Sequence, residues 1–180
     1  MKTEALEVMK NRRSIRAYKP EQISAEELDL VLEAGTFAPN GGGTQGFVIV
    51  AVQDPATVAK LNELNAKVLA KMTDKDPSEF TPYYGAPTVL LVFATEESST
   101  PVQDGSSVTC NLVNAAYAVG LGTCWVHRAK EIFESSEGKA LLQAWGLPEN
   151  VQGITSVALG YPAGDYPVAP PRKDGLILKV

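Results

Sequence analysis

FVIVAV, residues 47–52, is an unbroken apolar run rich in β-branched residues, the pattern of a strand covered on both faces. TVLLVF at 88–93 repeats it, and ITSVAL at 154–159 adds a third run. Around these strands the apolar spacing becomes helical. Ala5, Leu6 and Met9 predict an amphipathic helix ending near Asn11 to Arg13. Ser24 with Glu27 three positions on is a capping box, in which two backbone donors are satisfied reciprocally. Leu28, Val31 and Leu32 give that helix its buried face, and Gly35 is placed to take a left-handed stop. Asp54 and Pro55 open a third helix through Val58, Leu61, Leu64 and Val68. Residues 73–86 are polar, with Pro77, Pro82 and Gly85, and read as a mobile loop. Residues 106–121 form a helix with many small side chains, hence central. A short strand at Thr123 to His127 and a helix carrying Leu141, Leu142 and Trp145 follow. Strands and helices alternate irregularly, so the expected class is α+β, a sheet sandwiched by helices.

The tail, 162–180, holds four prolines and ends in LILKV. Too proline-rich to close a core alone, it reads as a swapped arm wrapping a second subunit. The 180 residues suit one domain spanning 1–180, with no composition shift to divide it. A net charge of -5 offers no overall basic surface for nucleic acid. No apolar run approaches the roughly 20 residues that span a bilayer. The segment MKTEALEVMKNRR has acids within its apolar pattern, unlike a signal peptide. Two cysteines, not in a CxxC pair, form no disulfide framework. Cytoplasmic residence is the expectation.

Four segments could carry chemistry. Arg12, Arg13, Ser14 and Arg16 crowd a helix end. Planar, bidentate guanidinium donors suit a phosphate or a polar heteroaromatic edge; the competing reading is a solvated helix end whose cations complement the dipole. Residues 38–46, APNGGGTQG, let backbone approach a flat ligand because no Cβ intervenes, or are simply a flexible loop. They lack the Gly-Lys-Ser/Thr ending of a P-loop. Gly120 to Trp125 follows a helix and has no GxGxxG, which rejects a dinucleotide fingerprint. Arg172 and Lys173 could reach back to an anion, although exposed tail charges usually do little. His127 is the only histidine, which excludes metal cages needing two or more and leaves any triad dependent on it. No GxSxG elbow is present. Cys110 and Cys124 read as core filling.

Taken in order, RRSIRAY at 12–18, APNGGGTQGF at 38–47, YYGAPTVLLV at 83–92, NLVNAAYAVGLGTCW at 111–125, ALGYPAG at 158–164 and PPRK at 170–173 resemble the nitroreductase family over nearly the whole chain. The resemblance implies a central, mostly antiparallel sheet between helices and a homodimer with a domain-swapped C-terminal tail. It implies FMN at the subunit interface and NADH or NADPH as donor. By position it assigns Arg12 and Ser14 to the phosphate and pyrimidine edge, with Arg13 contributing by backbone or side chain. Arg16 falls beside flavin N1 and O2. Pro39, Asn40, Gly41 and Gln45 become partner-subunit residues against the ring, Gly122, Thr123 and Trp125 pass its other edge, and Arg172 is a phosphate ligand. Asn62, Asn65 and Lys67 are further possible contacts. Gly43, Gly46 and Phe47 depart from the family's common Asn, Pro and Trp. The reaction implied is ping-pong transfer to an electron-poor acceptor such as a nitroaromatic or quinone. Enone reduction, dehalogenation and flavin binding without turnover are the alternatives.

Overall fold

The computed structural model describes residues 3–180; the first two residues of MKTEALEVMKNRR lie outside the described residues. At its centre β2 (Thr88–Ala94) lies between β1 (Phe47–Val52) and β4 (Gln152–Gly160), and β3 (Gly122–Val126) completes the order β1-β2-β4-β3. Every pairing is antiparallel. Side chains alternate across a strand, so Val89, Leu91 and Phe93 enter one core while Leu90 and Val92 enter the other. The first core is closed by α3 (Pro55–Thr73), α5 (Ala129–Glu134) and α6 (Ser136–Ala144), through Leu61, Leu64, Ile132, Phe133 and Leu142. The second is closed by α2 (Ala25–Thr36) and α4 (Pro101–Ala118), through Leu28, Val31, Val108 and Leu112. Helices on both faces explain the unbroken apolar runs. The short α1 (Glu4–Asn11) rests on α4.

The expected caps are present. Ser24 and Glu27 form the capping box, and Asp54 Oδ2 accepts from Thr57 N at 2.8 Å. Three expectations change. FVIVAV is a strand, but an edge strand: only Val52 is buried, and β1 pairs with β2 alone among the described residues. Gly35 does not stop α2, which continues to Thr36. Instead Gly35 is buried where a Cβ would lie 2.6 Å from Leu112 Cδ2 and 2.9 Å from Ile49 Cδ1. It is the point at which α2 closes on α4 and β1. Gly35→Val should therefore destabilise the fold by about 2–3 kcal/mol through overpacking, read as a lower urea midpoint at unchanged slope.

The third change is in the 73–86 loop, which is only partly free. A 3-10 turn at Pro77–Glu79 carries its own capping box from Asp76. Tyr83 is 1% exposed, and its hydroxyl donates to Ser156 Oγ at 3.1 Å. The end of the loop is thus anchored in the first core. Cys124 is buried as expected, whereas Cys110 is exposed on α4.

Candidate ligand site at the edge of β3

After α1 the chain runs beside β3 and meets it in an isolated bridge, without forming a further strand. Ile15 N donates to Thr123 O at 2.8 Å, and Ser14 bridges Thr123 in parallel. On the other side Lys19 N donates to Tyr161 O at 2.9 Å and Ala163 N to Ala17 O at 3.0 Å. Ile15 is buried against Gly122, where a Cβ would sit 2.9 Å from Ile15 Cγ1. With Ile15 turned inward, two-residue alternation leaves Arg12, Ser14 and Arg16 sharing the other side.

Arg13 goes elsewhere. Its Nη1 donates to Lys10 O at 2.7 Å and Arg12 O at 2.6 Å, closing the end of α1. For Arg13 the helix-end reading is the observed one.

Arg16 is exposed, its Cζ 5.8 Å from the centroid of the Tyr84 ring. Its pKa is raised, first by the Tyr84 hydroxyl, so the guanidinium is a fixed charge. Burial pushes the Cys124 thiol up, against the opposing pull of Arg16, Ser14, Tyr84 and Arg12 in that order. These five residues therefore form one neighbourhood. Burial also raises the Tyr18 pKa, and its protonated phenol donates to Ile15 O at 2.9 Å and Ala158 O at 3.3 Å. Thr123, 2% exposed, offers mainly backbone. Trp125 Nε1 is buried without a hydrogen-bond partner.

The charge balance is informative. Every ion pair among the described residues joins a lysine to a glutamate, and no arginine takes part. In a chain of net charge -5, neither Arg12 nor Arg16 has a counter-ion among the described residues.

The glycine-rich segment forms a second locus, more ordered than a flexible loop. Asn40 Oδ1 accepts from Gln45 N at 2.8 Å, and Gly41 N donates to Asp104 Oδ1 at 2.9 Å. Asp104, 2% exposed, also accepts from Ser98 Oγ at 2.6 Å and Thr100 Oγ1 at 2.9 Å. Gln45 is held at φ 54. The donors from Ser98, Gly41 and Thr100 keep the Asp104 carboxyl below its ordinary pKa. A folded-state value below the unfolded one stabilises at neutral pH, and this is lost as pH falls through the lowered value. In an acid titration of thermal stability, Asp104→Asn should start less stable and lose less than the parent below about pH 4.

The two loci occupy opposite ends of α4. Gly41 contacts its first turn, while Gly122 follows shortly after its last. At 1.5 Å per residue the 18-residue helix is about 27 Å long, and the loci also flank opposite edges of the sheet, β1 and β3. Pro39, Asn40, Gly41 and Gln45 therefore do not meet Arg12, Ser14 and Arg16 within one chain. Nor does Arg172 join them. Residues 167–180 are all exposed, and among the described residues Arg172 donates only to the Pro170 carbonyl, at 2.7 and 3.3 Å. On α3, Asn65 is buried and accepts from Arg128 Nε at 2.7 Å, Asn62 accepts from Tyr83 N at 3.2 Å, and Lys67 pairs with Glu63 at 2.6 Å. All three serve internal contacts.

Sequence reasoning did not mark Tyr84 or Asp104, and it placed Cys124 only as core. Tyr84 lies at φ 56, and tyrosine does not advertise a left-handed backbone. Asp104 looks like any acid in a first helical turn. Among the described residues no group of three potential metal ligands gathers, and no helix is long and apolar enough to cross a membrane.

Fold and site together define a helix-covered antiparallel α+β protein with an arginine-lined strand edge suited to a flat, anionic ligand. The sequence profile of the nitroreductase family matches residues 9–161. The chain belongs to that family. It is 32% identical over 165 residues to an Archaeoglobus fulgidus protein with the provisional name NADH dehydrogenase/NAD(P)H nitroreductase, covering 88% of this chain and 86% of that one. Its fold matches a Bacteroides fragilis nitroreductase crystallised with bound FMN, at TM-score 0.89 and 33% identity, over 99% of this chain and 100% of that one. A Desulfitobacterium hafniense nitroreductase, also with bound FMN, matches at TM-score 0.86 and 25% identity, over the whole of both chains (100% and 100%).

Proposed function

We propose that this protein is a homodimeric, FMN-dependent oxidoreductase taking electrons from NADH or NADPH and delivering them, in ping-pong order, to an electron-poor acceptor such as a nitroaromatic or quinone. The observation that carries the reading is the pair of arginines, Arg12 and Arg16, without counter-ions among the described residues and on one side of a pinned segment with Ser14. Two fixed cations and a hydroxyl fit a phosphate joined to a flat heteroaromatic ring. The solved relatives with FMN bound support the choice of flavin.

When bound, FMN supplies the redox chemistry, accepting hydride from the reduced nicotinamide and passing it on. The chain's residues bind and orient. Arg12 and Ser14 hold the phosphate and pyrimidine edge, with Arg13 contributing only backbone. Arg16 presents a preorganised cation where reduction adds negative charge. Gly122, Thr123 and Trp125 border the ring. No side-chain acid is required, in keeping with a single exposed histidine.

A second subunit is part of the proposal because one chain cannot bring its own glycine-rich segment to its own arginines. Pro39, Asn40, Gly41 and Gln45 then line the flavin bound to the other subunit. The tail is suited to making the pair: Leu176, Ile177, Leu178 and Val180 are 67–115% exposed, and β1 leaves its outer edge unpaired. A β-prone segment and an open apolar edge are the two halves of strand addition. Arg172, carried on that arm, reaches a phosphate only in the assembled dimer.

The test is an absorption spectrum of the purified protein with FMN, before and after anaerobic NADH. A retained flavin spectrum that NADH bleaches is expected. Protein that refuses added FMN overturns the proposal.

A further inference from the structure

Tyr84 adopts φ 56, a left-handed conformation that disfavours any side chain bearing a Cβ. Its surroundings impose it. Tyr84 N donates to Thr81 O at 2.9 Å and Ala86 N to Tyr83 O at 3.0 Å, closing a turn around the residue. Tyr83 is locked beneath by Asn62 and Ser156. A glycine at 84 would adopt this backbone without strain. What tyrosine adds is a ring projecting 37% exposed from a rigid base, with the Arg16 guanidinium over it at 5.8 Å. Backbone strain held by a rigid frame is typical of functional positions. Arg16 itself is exposed and pairs with no carboxylate among the described residues, so no ion pair fixes its long side chain.

We propose that Tyr84 is a positioning residue that holds the Arg16 guanidinium at the flavin's pyrimidine edge, so that the cation is in place before electrons arrive. The proposal rests on the FMN site described above and adds a residue to it. An arginine stacked on a fixed aromatic ring keeps its charge and donors while losing most of its alternative positions. Preorganised charge of this kind favours the reduced, more anionic ligand over the oxidised one.

The test is a double-mutant cycle on the intact protein, with FMN dissociation constants and two-electron midpoint potentials for the parent, Tyr84→Gly, Tyr84→Phe, Arg16→Ala and Arg16→Ala/Tyr84→Gly. Tyr84→Gly is expected to melt no lower than the parent, because the backbone relaxes. It should nevertheless hold oxidised FMN about threefold more weakly and reduced FMN still more weakly. A further tenfold preference lost for the reduced form is about a 30 mV fall in potential for a two-electron couple. Tyr84→Phe, which keeps the ring but not the hydroxyl beside Arg16, should recover part of both. In the Arg16→Ala background Tyr84→Gly should add nothing, because the group it positions is gone. A Tyr84→Gly protein with parental affinity and potential, or two substitutions whose effects simply multiply, overturns the inference. Parent protein that refuses FMN removes the flavin site and this inference with it; parent protein that binds FMN while Tyr84→Gly is unaffected overturns the inference alone.

Discussion

Deleting residues 174–180 should yield a monomer that has lost at least about a hundredfold in FMN affinity, a loss of roughly 2.7 kcal/mol or more. The segment removed carries four large apolar side chains with nothing of their own chain to pack on. Burying each contributes about 1.5–3 kcal/mol, against about 1–2 kcal/mol per residue to order the backbone. In the proposed dimer, main-chain bonds from the arm to the partner's β1 edge would tip the balance toward association. The affinity loss has a geometric cause. Asp104 holds the glycine-rich segment at the start of α4, whereas the arginines lie beside β3, which follows the end of that helix, so an isolated chain offers only half of the proposed flavin wall. Size-exclusion chromatography with light scattering, paired with flavin titration, reads both effects. A truncated protein that stays dimeric with parental flavin affinity would remove the arm from the account.

Arg12→Ala should weaken FMN by about 10–100-fold, as expected for a charge-assisted hydrogen bond of about 1.5–3 kcal/mol. Riboflavin, which has the same ring and no phosphate, should bind the variant almost as well as the parent. Arg12 is half-buried beside a segment held by main-chain bonds, so its loss should leave the fold intact and the comparison clean. Arg12→Lys should restore only part of the affinity, since an ammonium lacks the planar two-donor fork. Equal losses for FMN and riboflavin would show that Arg12 does not read the phosphate.

Much of the architecture was legible because it depends on short-range chemistry. Ser24 with Glu27, and Asp54 before Pro55, signal helix starts through backbone donors that need partners, and TVLLVF signals a central strand through burial alone. What escaped depends on distant neighbours. FVIVAV and TVLLVF look alike, yet one is at the edge and one at the centre, because strand order is set by packing between segments far apart in sequence. Gly35 looked like a terminator because glycine suits a left-handed stop, whereas its Cβ-free space faces Leu112 and Ile49, contacts that spacing cannot reveal. The site divides in the same way. RRSIR announced a cationic cluster, but only the pairing with Thr123 shows that Arg12, Ser14 and Arg16 share a side while Arg13 turns back on α1. Tyr84 and Asp104 act through a turn and a loop whose partners lie elsewhere in the chain.

The cationic segment hangs on few tethers. Its amide ties are Ile15 to Thr123 on one flank, and Lys19 to Tyr161 and Ala163 to Ala17 on the other. Peeling it from the sheet margin would carry off Arg12, Ser14 and Arg16 in one event, so occupancy and local opening are two descriptions of a single equilibrium. A ligand held a hundredfold above its dissociation constant suppresses such opening by about 2.7 kcal/mol. Occupancy would then be written in deuterium uptake, as slowed exchange confined to those three amides while the central strands keep their own pace.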